Sequence, residues 1–378
     1  MGNIICNFTP MRHLLYSLVI ALTVMAVANP AQARYYGAEG TFLRLAGPDR
    51  YATSVEVSEF NFGAPASVDQ FVIASGEDYP DALAAAPFAA RIDAPLLLTA
   101  RDYLPDIVRK NIKWAFDGAS DLEVDVYVVG GPQAVSDIVL QQLLAIDSTI
   151  DVKRIQGSDR VETAANVAHE LEILAGDTPA TVFVASGNNY PDALSASGPA
   201  SDAYVDGNRI PILLNRDAIQ LDPLTRSVFE RYFQMGGLSK VIVLGGTSVF
   251  SDTLLSEIRY LASVAGATVP TTLRLAGLDR YETSALIAEY FYGAANPKYI
   301  GVASGESFPD ALVGGYDSGR AYDGTNVQPF LLVKNSDEIP TAVFDFFSRH
   351  SGTLESGIMY GGIAVLSENV RYVLEGML

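Results

Sequence analysis

The chain has 378 residues, of which 49% are hydrophobic and 18% are charged, and its formal net charge is −19. This apolar content is sufficient for packed cores, and the acidic balance argues against long-range attraction to nucleic acid or to an anionic membrane. The single cysteine, Cys6, lies in a segment that we expect to be removed, so stability should not depend on disulfides.

The first 33 residues have the three-part pattern of a secretory signal. Arg12 and His13 precede an apolar run from Leu14 to about Ala28, and the small residues of Ala31-Gln32-Ala33 close the segment. The run is shorter than the ~20 residues that span a bilayer, so we expect cleavage rather than a membrane anchor. Cleavage leaves 24 basic and 44 acidic residues, a net charge of −20, and no further candidate for a membrane span.

Four sequence markers recur in the same order, three times each. The first reads RLAGPDRYAT from Arg44, RIQGSDRVET from Arg154 and RLAGLDRYET from Arg274. Next come ASGEDYPDAL, ASGNNYPDAL and ASGESFPDAL, then PLLLT, PILLN and PFLLV, and last VYVVGGPQAVSD, VIVLGGTSVFSD and GIMYGGIAVLSE. The periods of 110 and 120 residues suit small domains. We therefore expect a signal segment, 1–33, followed by three modules, 34–150, 151–270 and 271–378.

The first half of each repeat predicts strands that alternate with helices. A strand ends at Leu45, and Asp49 follows as the N-cap of a helix, with Glu162 and Glu282 completing a capping box in the second and third repeats. QFVIASG is typical of a buried strand. Pro80 then opens a helix with small side chains.

The second half continues the alternation. It contains a strand APLLLT, an amphipathic helix LPDIVRKNIKWAF, a strand VDVYVVGG and a helix SDIVLQQLLA capped by Ser136. Strands that are apolar on both faces predict a parallel sheet covered by helices, and thus an α/β layer structure in each repeat. In the third repeat ALVGGYDSGR replaces the alanine-rich helix, so we expect that helix to be shorter or broken at its glycines.

The recurrence tests each catalytic interpretation three times. Within the ASGEDYPDAL stretch, Glu77 and Asp78 are replaced by asparagines in the second repeat, and only the last carboxylate persists, as Asp81, Asp192 and Asp310. One carboxylate per repeat does not make a paired-carboxylate site or a divalent-metal cage. The serine also persists, as Ser75, Ser186 and Ser304, but no histidine recurs with it as a base. We therefore expect no enzyme activity, no metal and no cofactor.

The recurring polar residues are the candidates for ligand binding. Two arginines persist in every repeat of this acidic chain, either to clamp the Asp81-type carboxylates internally or to face an anionic ligand. Ligands of parallel α/β sheets bind at the carboxyl ends of strands, which is where the Ser-Gly and Gly-Gly loops are expected. The candidates are Arg44, Arg50, Ser75, Asp81, Arg154, Arg160, Ser186, Asp192, Arg274, Arg280, Ser304 and Asp310.

Together these markers resemble the type 2 cell-wall-binding repeat of Gram-positive bacterial surface proteins. The family pattern has an Arg-Leu-x-Gly-x-Asp-Arg-Tyr-x-Thr start, an Ala-Ser-Gly…Pro-Asp-Ala-Leu centre, a Pro-Ile-Leu-Leu strand and a Val-Val-Gly-Gly end. The resemblance implies three Toprim-like α/β modules, with parallel sheets flanked by helices, packed about a pseudo-threefold axis. It also implies that the exported protein binds the cell wall non-covalently through an anionic secondary wall polymer, either teichoic-acid-like or a charged polysaccharide.

The resemblance assigns further expectations to particular residues. In the family the Ile-Leu-Leu strand matters for anchoring, and its counterparts are Leu96-Leu97-Leu98, Ile212-Leu213-Leu214 and Phe330-Leu331-Leu332. Val161 departs from the pattern by replacing the tyrosine of the other two repeats, so the three modules need not bind alike.

We therefore expect a non-enzymatic wall-binding protein at the cell surface. A wall-polymer hydrolase and a structural protein of a surface lattice remain the alternatives. Trp114 is single and unrepeated, so the sequence does not support simple stacking on neutral glycans.

Overall fold

The computed structural model describes residues 39–63, 68–116, 123–189, 191–203, 205–320, 327–336 and 338–378. The expected signal segment, 1–33, lies outside these ranges. Within them, no helix has the length and apolar character needed to cross a membrane.

The described residues contain twelve strands, and every pairing between them is parallel. The strands are β1 (Thr41–Leu45), β2 (Gln70–Ser75), β3 (Leu96–Thr99), β4 (Val124–Val129), β5 (Ile150–Ile155), β6 (Thr181–Ser186), β7 (Ile212–Asn215), β8 (Lys240–Leu244), β9 (Thr271–Leu275), β10 (Tyr299–Ser304), β11 (Phe330–Val333) and β12 (Ser356–Tyr360).

Helices alternate with these strands, as the sequence predicted. They are α1 (Arg50–Phe62), α2 (Pro80–Arg91), α3 (Asp106–Trp114), α4 (Asp137–Leu144), α5 (Arg160–Ala175), α6 (Pro191–Leu194), α7 (Ser197–Ser201), α8 (Pro223–Met235), α9 (Asp252–Val264), α10 (Arg280–Tyr292), α11 (Phe308–Ser318), α12 (Thr341–His350) and α13 (Glu368–Glu375), with a 3₁₀ turn at Gly293–Ala295. The α/β architecture of parallel sheets flanked by helices is thus confirmed.

The three sheets exchange one strand each around a ring. Their strand orders are β3-β2-β4-β5, β7-β6-β8-β9 and β1-β12-β10-β11. The edge strand that begins the second repeat, β5, therefore completes the sheet of the first repeat, and β9 does the same for the second. At the other end of the chain β1 closes the ring by pairing with β12, from Thr41 opposite Ser356 to Leu45 opposite Tyr360. The boundary between two sheets therefore lies one strand later in the chain than the boundary between the corresponding sequence repeats.

The centre of the ring is made by helices α2, α7 and α11, which pack against one another. One apolar cluster extends through all three modules at this centre, and separate clusters lie under the outer helices of the first and second modules. The small side chains of α2 are buried, for example Ala84 and Ala85, so neighbouring helices can approach closely.

The glycine-rich helix of the third repeat was expected to be shorter than its counterpart or broken at its glycines. It has 11 residues against 12 in α2, and the expected break is wrong. Helix α11 runs for 11 residues without interruption, whereas the second repeat has two short helices, α6 and α7, with Gly198 and Pro199 in the latter. Gly314 and Gly315 are required by packing: a Cβ at Gly314 would lie 2.6 Å from the Tyr360 ring, and one at Gly315 would overlap Ser197. Gly314 therefore permits close packing of α11 on β12, and Gly315 permits its close contact with α7.

Aspartate N-caps begin the helix after each first marker, as predicted. The Asp49 carboxylate accepts a hydrogen bond from the N–H of Ala52, and Asp159 accepts bonds from the N–H groups of Val161 and Glu162. The capping box is displaced by one residue, because Glu162 accepts from the N–H of Ser158 rather than from that of Asp159.

Ser136 stands at the predicted N-cap position of α4, but its hydroxyl has no hydrogen-bond partner among the described residues. Its expected capping bond is therefore not formed.

Candidate functional site

The recurring serines form turns at the carboxyl ends of β2, β6 and β10. The Ser75 hydroxyl oxygen accepts hydrogen bonds from the N–H groups of Glu77 (3.1 Å) and Asp78 (3.3 Å). Ser186 and Ser304 accept the equivalent bond from the residue two positions later. Ser75 is 1% exposed, so its role here is to shape the loop that leads into α2.

The recurring aspartates lie at the junctions between modules. The Asp81 carboxylate lies under the Gly-Gly loop, where a Cβ on Gly130 would come within 2.6 Å of it, and Gly130 has φ of +121°. It receives a hydrogen bond from Thr163 of the second repeat. Asp192 and Asp310 bond in the same way to the threonine of the next repeat around the ring.

Burial governs the ionisation of these carboxyl groups. It raises the pKa of Asp81 from 3.8 to about 6, with a further rise from Asp78, while Arg160 and the Thr163 bond act in the opposite direction. Burial also raises the pKa of Asp192 and of Asp310. A buried carboxyl group with a threonine hydrogen bond and a nearby arginine therefore recurs at all three junctions.

The arginine that opens each repeat ties it to the preceding repeat. Arg154 donates hydrogen bonds to the carbonyl of Gly130 (2.7 Å) and to Asp137 (3.0 Å), the first-turn acid of α4. Its side chain is 11% exposed, and burial lowers its pKa. Arg44 and Arg274 make the equivalent contacts to their neighbouring Gly-Gly loops and acids. These arginines thus brace the exchanged strands and do not clamp the Asp81-type carboxylates.

The second recurring arginine supports the Ser-Gly turn of its own repeat. Arg160 donates to the carbonyl of Gly187 (2.8 Å), forms an ion pair with Asp78 (3.1 Å) and lies 5.6 Å from the centre of the Tyr79 ring. Arg50 and Arg280 donate to the carbonyls of the corresponding glycines, and Arg50 lies over Phe308. Each of these guanidinium groups also attracts the Asp81-type carboxylate of the preceding repeat.

A cleft of 730 Å³ opens at the first junction, between the carboxyl ends of β2 and β4 and the N-terminus of α5. Its walls are the Ser-Gly turn, the Gly-Gly loop and the Gln156–Thr163 segment of the second repeat. Two cations, Arg101 and Arg160, face five carboxylates in it, which are Glu77, Asp78, Asp81, Asp159 and Glu162. The cleft brings together Ser75, Asp81 and Arg160 of the predicted residues, while Arg44 and Arg154 do not line it.

Arg101 was not among the residues proposed from the sequence. It is exposed, its backbone N–H donates to Glu77 (3.3 Å), and its guanidinium donates to Gln133 across the cleft (3.1 Å). A signal for it exists, because a basic residue follows each of the apolar edge strands β3, β7 and β11 within two positions, as Arg101, Arg216 and Lys334.

The second repeat differs from the others where Val161 replaces tyrosine. The Tyr51 ring covers Gly76 in the first repeat, and burial raises the Tyr51 pKa to about 12. In the second repeat the Arg216 side chain covers the equivalent glycine and forms ion pairs with Asp159 (2.9 Å) and Asp222 (3.0 Å). An ion-pair network thus takes the place of an aromatic contact.

The histidines lie apart from these loops. His169 pairs with Glu172 (3.4 Å) on α5, and His350 on α12 pairs with Glu289 (3.2 Å). Across the described part of the chain, no group of three or more His, Cys, Asp or Glu residues could hold a metal ion.

The repeated markers match a known sequence family. The family model described as "Cell wall binding domain 2 (CWB2)" matches residues 44–140, 154–255 and 274–371. The chain belongs to this family. The three CWB2 matches begin at Arg44, Arg154 and Arg274, which are the first residues of the three repeats.

Two curated proteins are similar in sequence to the chain. It is 31% identical over 278 residues to the N-acetylmuramoyl-L-alanine amidase LytC of Bacillus subtilis, covering 73% of this chain and 48% of LytC. It is 33% identical over 162 residues to the Amidase enhancer of the same organism, covering 43% of this chain and 20% of that protein. The chain therefore spans half or less of the length of these relatives.

Solved structures support the fold. Cwp6 from Clostridium difficile has a TM-score of 0.74 at 22% identity, over 90% of this chain and 48% of Cwp6. Cwp8 from the same organism also has a TM-score of 0.74, at 23% identity, over 97% of this chain and 55% of Cwp8.

The strand that the CWB2 resemblance associates with anchoring is buried here. Leu97 and Leu98 are 0% exposed, and their counterparts in β7 and β11 are at most 2% exposed. Fully burying such a side chain contributes about 1.5–3 kcal/mol. These residues cannot contact a polymer in the folded chain. Any effect that they have on anchoring therefore comes from their contribution to the stability of the fold.

Proposed function

We propose that the chain is exported and attaches non-covalently to an anionic secondary cell-wall polymer, which it binds in the clefts between its CWB2 modules. Family membership supports wall binding as the general function. Binding of the polymer between modules is supported by the first cleft, where loops from two repeats and two arginines meet at the carboxyl ends of the strands.

The lining of the cleft fits a polymer that carries both hydroxyl and anionic groups. Arg101 and Arg160 supply guanidinium donors suited to phosphate or carboxylate groups. Glu77 and Gln133 supply oxygen acceptors for sugar hydroxyls. With five carboxylates to two arginines, the cleft has a formal excess of three negative charges. We therefore expect recognition by short-range contacts and not by long-range attraction.

The ring arrangement gives a reason for three copies. One wall of the cleft is formed by the first repeat and the other by the second, so one repeat alone cannot form it. Equivalent residues meet at the other two junctions. Several sites on one chain would raise the apparent affinity for a repetitive polymer through multivalency.

We infer binding without catalysis, because the two recurring aspartates at the first junction are engaged in structural contacts. Asp81 lies under the Gly-Gly loop, and Asp159 caps α5. The test is co-sedimentation of the chain with purified walls, before and after chemical removal of their secondary polymers. Sedimentation that depends on the polymer supports the proposal.

Equal sedimentation with stripped walls contradicts the choice of polymer. Release of reducing sugar during the assay would favour the hydrolase alternative, and ordered two-dimensional arrays without walls would favour the lattice alternative.

A further inference from the structure

A groove of 560 Å³ lies on the outer face of the first module, between α1 and α3. Trp114 and Ile107 form its apolar side, and their side chains are 38% and 39% exposed. Lys110, Lys113 and Glu59 supply charged groups around it. This groove is separate from the cleft at the first module junction and shares no lining residue with it.

The other two modules have arginine where the first has tryptophan. Trp114, Arg231 and Arg349 each stand nine residues after the N-cap of the corresponding helix, α3, α8 or α12. Arg231 forms an ion pair with Glu172 on α5 (2.7 Å), and Arg349 forms one with Glu289 on α10 (3.3 Å). In modules two and three this position therefore joins the two outer helices through an ion pair.

The replacement changes the surroundings of the acid on α1. Glu59 is nine residues after Arg50, as Glu289 is after Arg280, so the two glutamates are equivalent. The helix that faces Glu59 carries the Trp114 indole in place of an arginine. Glu59 receives a hydrogen bond from Asn111. Burial, and then the neighbouring Glu56, raise its pKa.

Asn111 is fixed in position for this contact. It is 4% exposed, and its side-chain oxygen accepts a hydrogen bond from the Ser58 hydroxyl (3.3 Å). Its amide nitrogen is thereby left to face Glu59. The groove thus presents a positioned carboxylate beside an aromatic plane, with Lys110 and Lys113 balancing the charges of Glu56 and Glu59.

We propose that this groove is a saccharide-binding subsite, in which one face of a pyranose ring packs on the Trp114 indole and its hydroxyls bond Glu59, Lys110 and Lys113. Sugar rings present apolar C–H groups on one face and hydroxyls at the edge. An aromatic platform beside a few fixed polar groups matches both features. The sequence interpretation set Trp114 aside because it is unrepeated, but its replacement of a paired arginine is what distinguishes the first module.

The proposal rests on wall attachment as the function, since the wall is the source of the saccharide. Glycan strands of peptidoglycan and sugars of the secondary polymer share the required chemistry. The proposed ligand group is a pyranose ring, and separate probes from peptidoglycan and from the secondary polymer distinguish the two sources.

Trp114 is the only tryptophan in the chain, so its fluorescence reports on this groove alone. The full chain is titrated with the disaccharide released by peptidoglycan digestion, with polymer released from walls, and with inorganic phosphate as a control without sugar. We expect a saturable change in emission with at least one saccharide probe and none with phosphate. Glu59→Gln keeps the reporter and should weaken binding about tenfold or more.

Trp114→Arg is the matched control, because it gives the first module the residue of the other two. It should fold normally. Its affinity for the same saccharide probe, measured by calorimetry, should fall about tenfold or more.

The outcomes separate this subsite from the proposed function. Unchanged Trp114 emission with every saccharide at millimolar concentration, or a change that is insensitive to Glu59→Gln, overturns the subsite even if the chain sediments with walls. Failure to sediment with walls contradicts the proposed function, while a Glu59-dependent signal would still establish the saccharide subsite.

Discussion

At the scale of single residues, each module junction holds a carboxyl group whose ionisation is opposed by burial. The Asp81 pKa of about 6, against an ordinary 3.8, means that the folded chain holds this proton more tightly than the unfolded chain does. A difference of this size corresponds to about 3 kcal/mol. Its contribution to stability therefore falls as the pH rises from about 4 to about 6, and the full cost is present above that range.

Replacing Asp81 by asparagine removes this titration. We expect the stability of Asp81→Asn relative to the wild type to increase by up to about 3 kcal/mol between pH 4 and pH 7. Urea unfolding of both proteins at the two pH values measures this, and the difference between them cancels the other titrating groups. A stability difference that is the same at both pH values would show that the carboxylate is not the group that titrates.

Two arginines of the first cleft should respond differently to truncation. Arg160→Ala removes hydrogen bonds to Gly187 and Asp78 and should destabilise the chain by about 1–3 kcal/mol. Arg101→Ala removes an exposed side chain and should change stability by less than about 0.5 kcal/mol. It should nevertheless weaken wall binding about tenfold, because a guanidinium donor is lost from the cleft.

Thermal unfolding and co-sedimentation with walls distinguish the two effects. Normal wall binding by Arg101→Ala would remove this residue from the proposed site. An equal loss of stability in both variants would show that Arg101 is also a structural residue.

At the scale of helices and strands, periodicity and turn residues predicted the alternation of elements and the aspartate N-caps. They could not predict that β5 and β9 complete the sheets of the preceding repeats, because a parallel edge strand pairs with a partner chosen by tertiary packing. They also predicted a break in the helix of the third repeat, which is continuous. Gly314 and Gly315 are compatible with a helix where neighbouring side chains need the space.

The candidate site was predicted in part. The Ser-Gly and Gly-Gly loops meet at a cleft, as expected for the carboxyl ends of strands. The internal contacts of Arg44 and Arg154 could not be predicted, because they depend on the strand exchange. Trp114 was not among the candidates, because recurrence emphasises what the modules share and not what one of them adds.

The close approach of the central helices gives a direct test. Gly315→Ala would place a methyl group against Ser197, with the Ser197 Cβ only 2.9 Å away. We expect destabilisation by about 1–3 kcal/mol from overpacking. Gly352→Ala is the control, since a Cβ there meets nothing within 4 Å.

Urea unfolding measures both glycine variants, and the second change Ser197→Gly should restore part of the loss. Equal stability of Gly315→Ala and Gly352→Ala would mean that α7 and α11 are not in close contact.

At the scale of the whole molecule, the net charge of −19 opposes approach to an anionic polymer. Repulsion between exposed charges is screened beyond about 10 Å at 0.1 M salt. We therefore expect moderate monovalent salt to speed attachment to walls. This is opposite to a basic polyanion binder, which can lose about 10³–10⁵ in affinity between 50 and 200 mM salt through counterion release.

Association rates and binding isotherms across that range, with and without chelator, measure the effect. A steep loss of affinity with monovalent salt would show that local arginine contacts outweigh net charge. A loss of affinity that occurs only when chelator is added would show that a divalent cation bridges the two negative surfaces.

The central claim is that the clefts between modules hold the wall polymer. Backbone hydrogen exchange of the full chain, with and without polymer released from walls, tests it most directly. We expect bound polymer to slow exchange in the Ser-Gly turn near Gly76, in the Gly-Gly loop near Gly131 and in the loop at Gly157, all of which border the first cleft. Saturating polymer that leaves exchange in these three loops unchanged, or that protects only outer helices, would contradict the claim.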